Sequence, residues 1–348
     1  MKHLITMSMF LLLVSLGCRA VQRIVSPTTP APALETVEIP GDTANPSSTF
    51  AAPSPITCED DSCLDRCLDR IKQQLSTQSQ DDVGGNYAGT EASFNLVNYT
   101  IEGDQILEPD ILWVPSEYKA YQEDAAAHQR VWNYFISLIP SGQRKWITRY
   151  TIFTDGSSNT LAWVGKVEYD DNSRWELGVD ILDSTNPIYL TETLTHEVAH
   201  LITLNSEQLI NEDDFIFTPH QNTAVCSQFI STEGCSTPES YINRFYQEFW
   251  TGIYEDWMEI VYNSNPANDD ELFEAVETFY EMYPKHFKRT YAATSIKEDM
   301  AVSFEHFILE AKPGGNGITN RKIRFYYDFP ELVSLRKQMI QAMCSYVN

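Results

Sequence analysis

The sequence has few positive charges for its length. Its 348 residues include 24 lysines and arginines against 49 aspartates and glutamates, a formal net charge of −25. Such a surface repels the phosphates of nucleic acids and the headgroups of anionic membranes. We therefore expect no nucleic-acid partner.

The sequence also lacks a hydrophobic run long enough to cross a membrane. Its most apolar stretch, residues 4–16, follows Lys2 and is shorter than the roughly 20 residues that a spanning helix needs. This pattern is typical of a signal peptide, predicted over residues 1–17. The LVSLGC ending resembles a bacterial lipoprotein cleavage site, which implies a lipid on Cys18. An ordinary cleaved signal is the alternative, and both imply an extracytoplasmic protein at the bacterial cell surface or in the periplasm.

The next segment contains little that a core would bury. Residues 18–57 are rich in proline, serine, threonine and alanine, a composition typical of a disordered stalk. Membrane contact is expected only through its lipid anchor. Residues 58–116 are expected to form an N-terminal segment pinned by disulfides, and residues 117–348 to form the main domain.

An even number of cysteines follows the predicted lipidation site Cys18. Of the seven cysteines, six follow Cys18, and in an exported chain this predicts disulfides. Cys226 and Cys235 flank a short segment in which Gly234 permits the chain to reverse. We expect these two to pair.

The run CLDRCLDRIKQQL is predicted to be helical, which places Cys63 and Cys67 on one face. Side chains one turn apart on a helix seldom bridge each other. We therefore expect one of them to pair with Cys58 and the other with Cys344. A zinc knot of Cys58, Cys63 and Cys67 is the alternative.

The body of the chain mixes helical and strand-like patterns. Residues 117–139 have helical apolar spacing and precede Pro140. Three β-rich runs begin at residues 145, 160 and 174, and the turns TDGSSN and DDNS between them suit hairpins. The fold class is therefore predicted as α+β, with a small mixed or antiparallel sheet packed on the helix that contains HEVAH. A mainly helical, aromatic lobe is expected from Thr237 onward.

The most informative stretch is HEVAH, at residues 196–200. On a helix, His196 and His200 lie one turn apart on the same face, and Glu197 lies beside the first. The apolar flanks indicate a buried helix, and burying three polar side chains without a purpose is costly. Two hydrogen-bonded core histidines with Glu197 in a salt bridge are the alternative.

HEVAH resembles the HExxH motif of the zincin metallopeptidases. The resemblance implies a zincin-like fold and a zinc ion held by His196 and His200. Glu197 would then remove a proton from the attacking water and pass it to the leaving amine. The residues after His200, LITLNSEQLI, lack the glycine and third histidine of the metzincins, which excludes that pattern.

The third ligand is sought in TYAATSIKEDMAVSF. A glutamate near a helix start, seven residues after a tyrosine, resembles the catalytic domain of the anthrax lethal factor family, a group of glutamate-ligand zincins or gluzincins. The resemblance implies that Glu298 is the third metal ligand and that Tyr291 supplies a hydroxyl near the oxyanion. EDMAVSF also resembles an EDxAExF pattern of related metallopeptidases, with Val302 in place of the second glutamate.

Other residues remain open as the third ligand. His220, Asp213 and Asp214 follow the second histidine more closely along the chain. Ser295 and Glu298 also have the spacing of a capping box, in which case Glu298 only caps its helix.

These patterns imply an exported, lipid-anchored zinc endopeptidase with peptide or protein substrates. Extended substrates are expected to pair with an exposed strand near the cleft. The alternative is an inactive zincin-like surface lipoprotein that serves as a binding module, favoured by Val302 and by the long stretch between His200 and Glu298. The sequence does not specify the oligomeric state.

Overall fold

A computed structural model describes residues 57–58, 60–76, 93–155, 160–184, 190–210, 226–266 and 268–346. The predicted signal peptide, the lipidation site Cys18 and nearly all of the predicted stalk lie outside these residues. In the part of the chain that the structure describes, no helix is both long and apolar enough to cross a membrane.

A five-stranded sheet forms one side of the protein. Its strands are β1 (Phe94–Glu102), β2 (Gln105–Ile111), β3 (Ile147–Thr154), β4 (Ala162–Lys166) and β5 (Trp175–Asp180), in the order β2-β1-β3-β5-β4. Only β3 and β5 are parallel, so the predicted mixed sheet is confirmed.

The connections of this sheet differ in part from those predicted. The hairpin through DDNS is confirmed, because β4 and β5 pair antiparallel. The predicted hairpin through TDGSSN is wrong, because β5 lies between β3 and β4. The side chains of Leu177 and Val179 on β5 are fully buried, which suits an inner strand and leaves β4 at the edge.

The strands β1 and β2 were not predicted. They form a hairpin whose turn contains Gly103 at φ +61°, a conformation that glycine adopts without strain. Both strands come from the segment at residues 58–116, and β1 pairs with β3 from the predicted main domain. The two predicted regions thus share one sheet.

The described part of the chain up to residue 210 also contains four helices. They are α1 (Asp61–Ser76), α2 (Lys119–Glu123), α3 (Ala125–Leu138) and α4 (Thr191–Leu204). The single helix predicted at 117–139 is divided at Asp124, whose carboxylate accepts a hydrogen bond from the Ala127 N–H and caps α3. The helix α4 contains HEVAH and packs against β4, as predicted for a helix behind the sheet.

A helical lobe follows, as predicted. Its helices are α5 (Tyr241–Phe245), α6 (Tyr254–Trp257), α7 (Asp269–Met282), α8 (Ile296–Leu309), α9 (Ile318–Phe325) and α10 (Pro330–Tyr346). The wide π-helical turns Tyr246–Trp250 and Met258–Tyr262 extend α5 and α6. The lobe packs on the sheet side through α8, which lies against α4.

A second, small sheet lies on the chain between α4 and the helical lobe. Its strands are β6 (Leu209–Ile210), β7 (Ile230–Ser231) and β8 (Gly234–Ser236), in the order β6-β8-β7. Gly234 has φ +147°, and a Cβ there would lie 2.6 Å from the Ile210 carbonyl oxygen. The reversal between Cys226 and Cys235 therefore requires glycine at this position.

The six cysteines that follow Cys18 form three disulfides. The pairs are Cys58–Cys63, Cys67–Cys344 and Cys226–Cys235. The predicted pairing is confirmed, and the alternative zinc knot is wrong because its thiols are already bonded. The bond between Cys67 and Cys344 joins α1 to α10, near opposite ends of the described chain.

Candidate metal centre

The helices α4 and α8 bring three predicted metal ligands together. Nε2 of His196 lies 3.0 Å from Oε2 of Glu298, and Nε2 of His200 lies 3.5 Å from the same oxygen. The candidate ligand atoms of all three residues lie within 4.8 Å of one another. This largely buried group could hold a metal ion.

The position of Glu298 follows from the start of α8. Ser295 caps this helix by accepting a hydrogen bond from the Glu298 N–H at 3.2 Å. The carboxylate of Glu298 turns toward α4 and contacts His196. Ser295 is thus the cap, and the Glu298 side chain has a partner on another element.

The charged groups of the site shift one another's pKa values. Burial alone would lower the pKa of His196, but the Glu298 and Glu305 carboxylates outweigh it and raise the pKa to about 10. Burial alone would raise the pKa of Glu298, but the neighbouring imidazoles hold it well below its usual range. The carboxylates and imidazoles of the site are therefore electrostatically complementary.

Glu197 lies beside this group with one oxygen held and one oxygen free. Oε2 accepts a hydrogen bond from the Val164 N–H at 2.9 Å. Oε1 is buried and has no hydrogen-bond partner among the described residues. Burial raises the pKa of Glu197, which makes its carboxylate more basic than one in water.

Tyr291 also lies at the site. It belongs to the short 3₁₀ helix Thr290–Ala293, immediately before α8. The centroid of its ring lies 5.8 Å from that of His196. The structure thus places all five predicted site residues of the main domain in one cluster.

Glu305 is a further residue of the site, which the sequence analysis did not identify. Its Oε2 lies 3.8 Å from Nδ1 of His196 and 2.8 Å from Nη2 of Arg289. It follows Glu298 by two helical turns, so the two carboxylates share a face of α8. That spacing was the signal available in the sequence. Val302, at the expected position of a second glutamate, is fully buried and apolar.

An open cleft gives access to the site. Because the Val164 N–H points to Glu197, the unpaired edge of β4 faces this cavity. On the opposite wall, Nζ of Lys297 lies 2.6 Å from Oε1 of Glu233. The lining residues are Trp163, Val164, Gly165, Lys166, Trp175, Glu197, His200, Leu204, Glu233, Lys297 and Glu298.

The alternative third ligands His220, Asp213 and Asp214 lie outside the described residues. Glu298 is thus the candidate ligand that the structure places at the histidines.

No protein-family profile, curated protein or solved structure matches this chain. Its chemistry is therefore argued from the geometry of the cluster.

Proposed function

We propose that this protein is a zinc-dependent endopeptidase of the gluzincin type. The observation that supports this most strongly is the convergence of two imidazoles and a carboxylate beside Glu197, a buried glutamate with one unpartnered oxygen. A cluster that served only stability would gain little from leaving that oxygen without a donor.

The donor set fits a catalytic zinc ion. Two histidines and a glutamate are three protein ligands of the types that catalytic zinc uses, with a position left for water or substrate. His196, His200 and Glu298 would hold the ion. When bound, zinc would supply a Lewis acid that acidifies water and polarises a substrate carbonyl.

Glu197 would act as the general base. Its Oε1 has no competing donor among the described residues and can accept a proton from the attacking water. The Val164 N–H holds Oε2, which fixes the direction of the carboxylate. Glu197 would then return the proton to the leaving amine. The hydroxyl of Tyr291, on a ring beside His196, is proposed to stabilise the oxyanion of the reacting carbonyl.

The edge strand β4 would position an extended substrate. Its outer edge faces the cavity beside Glu197, so a peptide can add to the sheet there through backbone groups of β4 other than the Val164 N–H, which binds Glu197. This arrangement suits cleavage within a peptide or protein chain.

We further propose that the enzyme acts outside the cytoplasm, anchored by a lipid on Cys18. Three disulfides support an oxidising compartment, where such bonds persist.

The test compares the full-length chain with Glu197→Gln in a peptide-library cleavage assay, with zinc content measured for both. We expect about one zinc per chain in each protein and a loss of kcat/KM of about 10²-fold or more in the variant. Glu259→Gln, at an exposed helical position, is the matched control and should cleave normally. Equal cleavage by Glu197→Gln would refute the mechanism. Zinc binding without cleavage of any peptide would favour the binding module.

A further inference from the structure

Three aspartates meet at the far end of the central strands. Asp155 directly follows β3, Asp180 ends β5, and Asp183 lies three residues further on. Because β3 and β5 are parallel, their carboxyl ends lie at the same edge of the sheet. One carboxylate oxygen from each aspartate lies within 4.8 Å of the other two.

These carboxylates are buried rather than solvated. Asp155 is 6% exposed and Asp180 is 1% exposed. Burial, together with the negative charges of Asp183 and Asp155, raises the pKa of Asp180 to about 7. The cluster therefore concentrates carboxylates in a buried position.

Backbone groups fix the direction of two of these carboxylates. The two oxygens of Asp180 accept hydrogen bonds from the N–H groups of Asp155 and Leu182, both at 2.8 Å. Oδ2 of Asp155 accepts from the Thr160 N–H at 2.7 Å. Its other oxygen, Oδ1, is buried and receives no hydrogen bond from any described residue. A buried acceptor of this kind is costly unless another group, such as a cation, binds it.

We propose that Asp155, Asp180 and Asp183 bind a calcium ion. The ligands offered by these three residues are oxygen atoms only, which hard cations prefer, and no described histidine or cysteine joins the group to favour zinc. Ca²⁺–oxygen distances of about 2.3–2.6 Å allow ligand oxygens on opposite sides of the ion to lie about 5 Å apart, which the cluster satisfies. Calcium also tolerates irregular coordination, whereas Mg²⁺ requires an almost ideal octahedron.

The bound ion would connect the carboxyl ends of β3 and β5. It binds the folded state and not the unfolded chain, so it stabilises the fold in proportion to its concentration. Asp155 follows β3, Asp180 is the last residue of β5, and Asp183 lies between β5 and α4. The site is separate from the candidate zinc ligands and does not depend on the proposed peptidase activity.

The test is calorimetric titration of the zinc-saturated full-length protein with CaCl₂, together with thermal unfolding in calcium and in EGTA. We expect one Ca²⁺ per chain and a higher unfolding midpoint in calcium. The same titration with MgCl₂ should give clearly weaker binding. Tighter binding of Mg²⁺ than of Ca²⁺, or no calcium binding at millimolar concentration, overturns the proposal.

Asp155→Asn is the decisive variant. Its amide oxygen can keep the hydrogen bond from Thr160, and its NH₂ group replaces the unpartnered Oδ1 and can donate to the neighbouring carboxylates. We expect it to be at least as stable as the parent in EGTA and to bind calcium about tenfold more weakly or worse. Asp110→Asn, on the exposed face of β2, is the matched control and should bind calcium normally.

Asp183→Asn provides a second, independent variant if Asp155→Asn fails to fold. Weaker calcium binding in either aspartate variant, with Asp110→Asn unchanged, supports the site. Unchanged binding in both overturns it. Loss of calcium binding in Glu298→Ala would instead place the ion at the histidines and also overturn it.

Discussion

Oε2 of Glu305 lies 3.8 Å from Nδ1 of His196, the ring nitrogen that faces away from Glu298. This separation exceeds hydrogen-bond length, and Nδ1 has no hydrogen-bond partner among the described residues. Arg289 holds Glu305 in place through two contacts between guanidinium and carboxylate. Arg289 thus fixes the Glu305 carboxylate beside Nδ1 of the candidate ligand His196, on the side of the ring away from Glu298.

Glu305 is predicted to be a positioning residue for the metal. A carboxylate behind a ligating imidazole orients the ring, and its removal typically weakens metal binding by about 10- to 100-fold. We expect Glu305→Gln to lower zinc affinity by that order, measured by competition with a chromophoric chelator. Glu305→Asp should restore part of the affinity, which a purely structural role would not require. Glu310→Gln, which alters a carboxylate paired with His306 at the end of α8, is the control. Equal zinc affinity in all four proteins would contradict this role.

Glu298 is predicted to be the third metal ligand. Glu298→Ala removes the carboxylate that faces both histidines, so we expect clearly reduced zinc content after dialysis against a weak chelator. Atomic absorption of the full-length parent and variant measures this directly. Full zinc content in the variant would transfer the assignment to His220, Asp213 or Asp214.

The buried pair of Asp299 and Lys322 is predicted to stabilise α8 only while both partners are present. Each side chain is about 1% exposed, and Asp299 also accepts a hydrogen bond from Trp250 Nε1 at 2.8 Å. Lys322→Met should lower the free energy of unfolding by about 3–5 kcal/mol, because it leaves a buried carboxylate without its counter-ion.

The double variant Asp299→Asn/Lys322→Met should recover much of this loss, since asparagine still accepts from Trp250. Urea unfolding measures both variants. Lys285→Met, at an exposed position, should stay within about 0.5 kcal/mol of the parent. If the double variant is no more stable than Lys322→Met, the lost stability does not come from the unpaired Asp299 carboxylate.

His128 is predicted to make the fold sensitive to mild acid. Its Nδ1 contacts the Tyr99 hydroxyl at 2.8 Å, and its Nε2 lies 2.9 Å from the Tyr121 carbonyl oxygen, to which an Nε2–H can donate. Burial lowers the pKa of His128 below its usual 6.5. As the pH falls below about 6.5, the unfolded chain takes up the proton first, and stability declines by up to about 1.4 kcal/mol per pH unit.

Glutamine offers the same donor and acceptor without titrating. We expect His128→Gln to reduce the slope of unfolding free energy against pH between about pH 6.5 and 5, measured by urea unfolding. Burial also lowers the pKa of His286, to about 4, so the double variant His128→Gln/His286→Gln should be flatter still. A slope unchanged by either variant would assign acid sensitivity to the carboxylates.

Local patterns predicted the site better than the sheet. HEVAH fixes two side chains on one helical face, and the Ser295 cap places Glu298 at the start of the next relevant helix. Helical spacing from Glu298 is enough to place Glu305 on the same face of α8. The packing of α8 on α4 and the role of Val164 depend on tertiary contacts, which no local pattern contains.

The strand pairing of the sheet also depends on tertiary contacts that local patterns do not contain. The β1–β2 hairpin was missed because its strands mix buried and exposed residues. The strand β3 pairs in parallel with β5, which is not the next strand along the chain. The turn residues after β3 favour a hairpin with β4, so local patterns predict the wrong partner. The cluster of Asp155, Asp180 and Asp183 depends on the pairing of β3 with β5, so no local sequence pattern predicts it.

The bond between Cys67 and Cys344 makes most of the body a closed covalent ring, because the two positions are 277 residues apart. A single cut by any protease within that ring leaves the two ends attached, and the nicked protein migrates as one species until it is reduced. A cut before Cys58 lies outside all three disulfide rings and separates the body from every residue before the cut, Cys18 included. Shedding and internal nicking thus have opposite outcomes in this protein, and a non-reducing gel distinguishes them.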